Sequence, residues 1–297
     1  MTTAHPTRTK SRLTRIKASY LLLLIPLVGC LSSCVSPQQR IVDRIITTQE
    51  QNTTIVPPSV QGVTVASLDD AYSIQRRYDR SKSKTHGPVS GYKIAYASKQ
   101  SQQANGIPEP VYGSLFAKQQ VPNNGALAIA EFTGFHIESE VAVIIDRDVP
   151  LSVTSIAGLK PYIRSVHIGY DIPDNIFDVS KGKPVPNDIV IFGAGAHTYC
   201  LGPAHSLQNI RFTGNDLDVF HGRKKVYQGN EKNTMGSPMH SLLWLHEKLQ
   251  SQGKSLKANQ VILCGAVAGA YKIKGEAAKG VYSAHHPLLG KVTIQVK

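Results

Sequence analysis

Cysteine is scarce in this 297-residue chain. Beyond the first 34 residues only Cys200 and Cys264 remain, and their separation matches no metal-ligand pattern, which excludes the zinc-finger and iron–sulfur classes. Two buried free thiols are the simpler expectation, and a disulfide between them stays open in an oxidising compartment. The chain also lacks internal repeats and long low-complexity tracts, so repeat arrays are excluded. Its longest apolar run, from Ala18 to Gly29, is far short of the ~20 residues that span a bilayer. After residue 40 no dense basic run occurs except Arg76-Arg77 and Arg223-Lys224-Lys225, and none is interleaved with aromatics as nucleic-acid platforms require. Nucleic acid is therefore not an expected partner.

What is present begins with charge. The formal net charge is +13, and setting aside the five basic residues Arg8, Lys10, Arg12, Arg15 and Lys17 leaves +8, spread diffusely. Such a balance suits an anionic membrane surface or a carboxylate substrate. Those five residues, with no acid among positions 1–17, form the basic region of an export signal, and the apolar run follows it. Leu27-Val28-Gly29-Cys30 and Leu31-Ser32-Ser33-Cys34 both resemble the bacterial lipobox. The reading is a signal peptide over residues 1–33, cleaved before Cys30 or Cys34, with that cysteine lipidated and the protein anchored at the periplasmic side of the cell envelope. An ordinary signal peptide with two incidental cysteines is the alternative.

Residues 34–64 read as a tether and a helix leading into the domain, carried by Ile41, Ile45 and Ile46. The remaining residues, 65–297, are long enough for one large domain. Ser67-Leu68-Asp69-Asp70 is a helix N-cap with an acidic first turn, and Ala71, Ile74 and Tyr78 share a face, so a helix is predicted from about 68 to 84. A second is predicted over Pro238–Gly253, with Leu242, Leu245 and Leu249 at helical spacing. Val141–Ile145, Ile189–Phe192, Val261–Leu263 and Val292–Val296 are β-branched runs bounded by turn residues and read as strands. Strands and helices do not alternate regularly. The expected class is α+β, a mixed β-roll or sandwich with flanking helices.

His136-Ile137-Glu138-Ser139-Glu140-Val141-Ala142 is the segment richest in chemistry. On a strand, alternation places Glu138 and Glu140 on one face about 7 Å apart along the chain. Two carboxylates leading into an apolar run repel each other and resist desolvation, and a hard divalent cation such as Mg²⁺ or Mn²⁺ would relieve both problems. The pattern alone is equally compatible with a solvent-facing strand carrying two incidental acids.

Beyond that segment, a series of motifs occurs in a fixed order. Asp70-Ala71-Tyr72, Gly91-Tyr92-Lys93 with Ser98, Tyr112-Gly113-Ser114-Leu115, Glu138-Ser139-Glu140 followed by Arg147-Asp148-Val149-Pro150, Gly236-Ser237-Pro238, Leu243-Trp244-Leu245 and Ile262-Leu263-Cys264-Gly265 together resemble the 2-keto-4-pentenoate hydratase and 4-oxalocrotonate decarboxylase family of the fumarylacetoacetate-hydrolase-like superfamily. The likeness covers roughly residues 65–297. It implies a metal held by Glu138, Glu140 and a third acid about thirty residues on, which an ungapped reading places at Asp171. His167 and Asp174 compete for that role, and Asp171 also fits as a turn initiator before Pro173. The resemblance further implies Lys93 as the proton-transfer residue, with a pKa lowered beside a metal, and Ser98 and Leu115 as substrate-binding. Mg²⁺ or Mn²⁺ is the implied cofactor, a small 2-oxo acid or dienoate the implied substrate, and a homo-oligomer the implied assembly.

The sequence departs from that family where proton chemistry is expected. Val111 stands where an aspartate partners the lysine, Ile176 falls near an expected arginine, and Phe192-Gly193-Ala194-Gly195 replaces an Asp-Asn-Ala-Ser stretch. Two readings follow. One is a divalent-metal-dependent hydratase, a carbon–oxygen lyase, or a decarboxylase acting on a 2-hydroxydienoate or related 2-oxo acid. The other is a catalytically reduced lipoprotein that keeps the fold and binds a small carboxylate or a protein partner. Hydrolytic carbon–carbon cleavage has less motif support.

Overall fold

The computed structural model describes residues 1–4, 35–272 and 275–297. Cys30, Cys34 and the expected cleavage sites lie outside the described residues. A compact unit runs from Ser36 to Lys297. No helix among the described residues is long and apolar enough to cross a membrane.

In chain order the helices are α1 (Pro37–Glu50), α2 (Leu68–His86), α3 (Lys99–Asn105), α4 (Ile156–Leu159), α5 (Pro186–Ile191) and α6 (Pro238–Ser251). The strands are β1 (Val89–Ala95), β2 (Val111–Phe116), β3 (Gln120–Val121), β4 (Ala126–Leu127), β5 (His136–Ile145), β6 (Ile163–Ile172), β7 (Thr198–Leu201), β8 (Asp216–His221), β9 (Lys224–Asn230), β10 (Val261–Ala266), β11 (Tyr271–Lys272), β12 (Gly280–His286) and β13 (Gly290–Val296). They form two sheets. The larger has the order β2-β1-β10-β5-β6-β7-β3, with β11 also paired to β5, and the smaller has the order β4-β13-β12-β8-β9. The mixed α+β class is as expected.

Helix signals in the sequence worked where a cap and an apolar face agreed. Ser67 Oγ accepts the Asp70 N–H at 3.1 Å, and α2 buries Ala71, Ile74 and Tyr78. Pro238 opens α6, Leu242, Leu245 and Leu249 are buried, and the chain turns away at Gly253 with φ +69°. The predicted strand at Ile189–Phe192 is instead mostly α5. Pro186 sits in its first turn and the Asp188 carboxylate accepts the Val185 N–H at 3.0 Å, so local capping overrides the β-branched composition. The other carboxylate oxygen of Asp188 accepts the Ser59 N–H at 3.1 Å.

The entry helix expected at Ile41, Ile45 and Ile46 is α1. Residues 36–64 belong to the compact unit: α1 buries Val42 and Ile45 against α2, and Ile55 N–H donates to the Ile176 carbonyl at 2.8 Å. Cys200 and Cys264 are both buried and free.

α2 is fixed to β2 by polar and aromatic contacts together. Gln75 Nε2 donates to the Tyr112 carbonyl at 2.9 Å, and Tyr72 stacks on Tyr112 with ring centroids 4.5 Å apart. Two glycines let backbones meet behind this layer. A Cβ at Gly91 would lie 1.9 Å from the Val261 carbonyl oxygen, and one at Gly113 would lie 1.8 Å from that of Gly193. The second contact brings the turn at residues 193–195 down onto the sheet beside Lys93.

A candidate metal centre on strand β5

Strand β5 has two distinct faces. Ile137, Val141, Val143 and Ile145 enter the main hydrophobic core, while Ala142 and Ile144 pack with a smaller apolar group containing Leu115, Tyr199, Leu201, Val261 and Leu263. Glu138 and Glu140 share the second face by alternation. β6 pairs antiparallel with β5 in a register that sets Asp171 directly opposite Glu138. The three carboxylates converge: one oxygen from each of Glu138, Glu140 and Asp171 lies within 4.8 Å of the others.

Lys93 reaches this cluster from β1, with β10 intervening. Its Nζ is 2.7 Å from Asp171 Oδ2 and 3.8 Å from Glu138 Oε2, and it donates to the Ala194 carbonyl at 3.2 Å. The contact with Asp171 is a close ion pair. Ala194 presents its carbonyl from a left-handed conformation, φ +53°, between two glycines that share the positive φ. Lys93 is 2% exposed, and Glu140 and Asp171 are fully buried. The Glu138 side chain, at 18% exposure, stands at the open side.

Charge is the unresolved quantity in this pocket. Glu140 Oε2 accepts the Gly265 N–H at 2.6 Å, but Glu140 Oε1 and Asp171 Oδ1 are buried without a hydrogen-bond partner. Burial pushes the Glu138 carboxyl up to about 7, with Lys93 opposing and Asp171 reinforcing. Glu140 is raised well above the ordinary range, again mainly by burial and then by Asp171. For Lys93 burial acts to lower the pKa, but Asp171, Glu138 and Glu140 outweigh it and the net direction is upward. The carboxylates thus favour the charged ammonium of Lys93. One ammonium faces two fully buried acids and a third at the open side, and two carboxylate oxygens among them are left without a hydrogen-bond partner. This donor set fits a hard divalent cation.

The alternative ligands are placed elsewhere. His167 lies between Ser165 Oγ and the Gly202 carbonyl, each at 2.9 Å, and Asp174 accepts the Gly134 N–H at 2.6 Å. Leu115 is on the site face in the smaller apolar group, whereas Ser98 caps α3, its Oγ accepting the Ser101 N–H at 3.0 Å. Val111 is buried opposite Ala95 on β2, Ile176 is fully buried, and Glu109 turns away to pair with Lys248 at 2.7 Å. Two contributors escaped the sequence reading. The Ala194 carbonyl is a main-chain atom, so no side chain announces it. Tyr96 follows β1 in a left-handed conformation, φ +56°, its carbonyl held by Gln102 Nε2 at 2.9 Å. Burial raises its pKa, and Lys93 and Glu138 are within electrostatic reach of it.

No family model matches the chain. It is 26% identical over 221 residues to 2-keto-4-pentenoate hydratase 1 of Dechloromonas aromatica, covering 74% of this chain and 83% of that one. In three dimensions it resembles 4-oxalocrotonate decarboxylase from Pseudomonas putida G7, complexed with magnesium and adipate, at a TM-score of 0.79 and 18% identity, over 87% of this chain and 96% of that one. Fumarylacetoacetate hydrolase from Exiguobacterium antarcticum superposes at a TM-score of 0.53 and 16% identity, over 71% of this chain and 75% of that one. The fold is fumarylacetoacetate-hydrolase-like. Within this fold the carboxylate cluster lies on the central strands of the larger sheet, where β5 is flanked by β10 and β6.

Proposed function

We propose that the chain is a divalent-metal-dependent lyase for 2-oxo acids, a hydratase of 2-hydroxydienoates or a decarboxylase of the oxalocrotonate type. The observation that carries this is the convergence of Glu138, Glu140 and Asp171 in a buried pocket with Lys93 2.7 Å from Asp171. The hydratase and decarboxylase names of its relatives support the same chemistry. Glu138, Glu140 and Asp171 would hold Mg²⁺ or Mn²⁺, which supplies a Lewis acid for the oxo-acid end of the substrate.

The chain's own residues supply the rest. Lys93 holds a proton at Nζ between the Asp171 carboxylate and the Ala194 carbonyl, aimed along the sheet face. Leu115, Leu201 and Leu263 exclude water from the floor, which strengthens every charge interaction above them. Val111 removes the carboxylate that the resemblance expects as the lysine's partner, and the ion pair with Asp171 is the partner Lys93 has in its place. That substitution favours a second reading, a binding protein that retains the metal but turns over weakly. The purified domain should bind one Mn²⁺ per chain and consume a 2-hydroxydienoate in an absorbance assay. Metal binding without turnover, in both the natural chain and a Val111→Asp variant, would favour the binding protein; no metal binding would end both readings.

We also propose lipid anchoring at the cell envelope through Cys30 or Cys34, on the strength of the basic segment, the short apolar run and the paired lipoboxes. Fatty-acid labelling in a bacterial host should mark the natural chain and disappear on changing the anchoring cysteine. An unlabelled, uncleaved product refutes it.

A further inference from the structure

The pocket has a direction. Glu140 is fully buried, Glu138 is 18% exposed, and two residues farther toward the N-terminal end of β5 lies His136, half-buried. Moving from Glu140 to His136 is therefore moving outward, on the side where Glu138 opens the carboxylate cluster.

β11 lies beside that end. This short strand pairs antiparallel with β5, with Tyr271 opposite Ile137 and Lys272 opposite His136. Directly opposed residues on antiparallel strands project to the same face, and residues two apart on one strand do so as well. Lys272 therefore shares a face with His136, and hence with Glu138 and Glu140. The neighbouring residue verifies the assignment independently. Tyr271, opposite Ile137, packs against Tyr227 and Tyr282 at centroid distances of 5.8 and 6.3 Å, and Tyr227 Oη lies 3.2 Å from Ser139 Oγ. All of these belong to the other face of β5. With Tyr271 committed there, Lys272 is committed to the side of the carboxylates, about 7 Å beyond Glu138 along the strand. Its exposed ammonium is within electrostatic reach of Glu138, whose ionised form it favours.

Resting on the function proposed above, we propose that Lys272 recognises a second carboxylate at the far end of the substrate, so that the preferred ligand is a dicarboxylic 2-oxo acid rather than a monocarboxylic one. A 2-oxo acid held at its oxo end by Glu138, Glu140 and Asp171 extends outward along β5 past Glu138, the part-exposed member of the three, and its distal end meets an ammonium. A terminal carboxylate gains a charge-assisted contact there, while a terminal methyl leaves the ammonium with nothing but water. The same charge at the mouth steers dianions inward.

The test compares 2-oxoadipate with 2-oxohexanoate, six-carbon 2-oxo acids that differ only in whether the far end is a carboxylate or a methyl. Calorimetric titration of the Mn²⁺-loaded full chain should show a preference for 2-oxoadipate of roughly tenfold. Lys272→Ala should abolish that preference while leaving 2-oxohexanoate affinity unchanged, and Lys272→Arg should retain it. A natural chain that binds the two acids equally, or a Lys272→Ala variant that keeps the preference, overturns the inference while leaving the metal site standing. If titration with Mn²⁺ alone shows no binding, the proposed function fails first and this inference falls with it.

Discussion

Changing Glu140 to Gln separates a metal site from a merely structural cluster of acids, because the two accounts give opposite signs. Glu140 is fully buried, its carboxyl is pushed well above the ordinary range, and its Oε1 has no hydrogen-bond partner. Glutamine keeps the shape, and its carbonyl oxygen can still accept the Gly265 N–H that Oε2 now takes at 2.6 Å. Without metal the variant should be at least as stable as the natural chain, because the neutral amide carries no penalty for burying a charge. With metal the order should reverse. At an Mn²⁺ concentration a hundred times its Kd, binding stabilises the natural chain by about 2.7 kcal/mol, or roughly 5 °C in Tm at this size. Losing one anionic ligand should remove most of that shift. The assay is thermal unfolding of both proteins with chelator and with Mn²⁺. A chelated variant that melts well below the natural chain, together with an undiminished Mn²⁺ shift, would show that Glu140 is a structural acid and not a metal ligand.

Other perturbations test neighbouring parts of the argument. Lys93→Met strips the cation from buried acids and should cost about 3–5 kcal/mol in urea unfolding, with Mn²⁺ recovering part of it. Gly113→Ala places a methyl 1.8 Å from the Gly193 carbonyl oxygen and should cost about 3 kcal/mol while displacing the Ala194 carbonyl from Lys93; unchanged unfolding would mean the turn moves freely. Lys82, buried with its Nζ 2.9 Å from Tyr78 Oη, has its pKa lowered from 10.5 to about 8, chiefly by burial. The unfolded chain then binds more protons between about pH 8 and 10.5, so the natural chain should gain stability on a Lys82→Met variant as pH rises through that window, by roughly 3 kcal/mol in all. A pH-independent difference between the two would contradict that assignment.

The sequence revealed most where a side chain both forms its element and announces it. The Ser67 cap and the leucines of α6 marked their helices, and alternation alone put Glu138 and Glu140 on one face of β5. Asp171 came from a spacing carried by resemblance, and only the β5–β6 register shows why that spacing brings it opposite Glu138. Ile189–Phe192 misled because β-branched composition is a weak preference that Pro186 and the Asp188 cap override. Ile41, Ile45 and Ile46 announced the helix α1, while the polar tract after it hides isolated anchors, among them Ile55 on the Ile176 carbonyl. The Ala194 carbonyl and the side assigned to Lys272 depend on backbone geometry between distant segments, which no local pattern encodes.

The division of β5 between its two faces has a genetic consequence. Odd positions, Ile137 through Ile145, lie in the main core, and even positions carry the pocket. Substitution outcomes along this strand should therefore alternate with parity. Changes at Val141 or Val143 would lower the yield of folded protein yet leave each surviving molecule competent to bind, whereas changes at Glu138 or Glu140 would leave abundance intact and silence the molecule. Inserting or deleting one residue would exchange the two sets at once, putting carboxylates in the core and valines in the pocket. A lineage can thus lose or alter its chemistry here at Glu138 or Glu140, one at a time, without risking the fold, which is how a scaffold of this kind can outlast the reaction it was selected for.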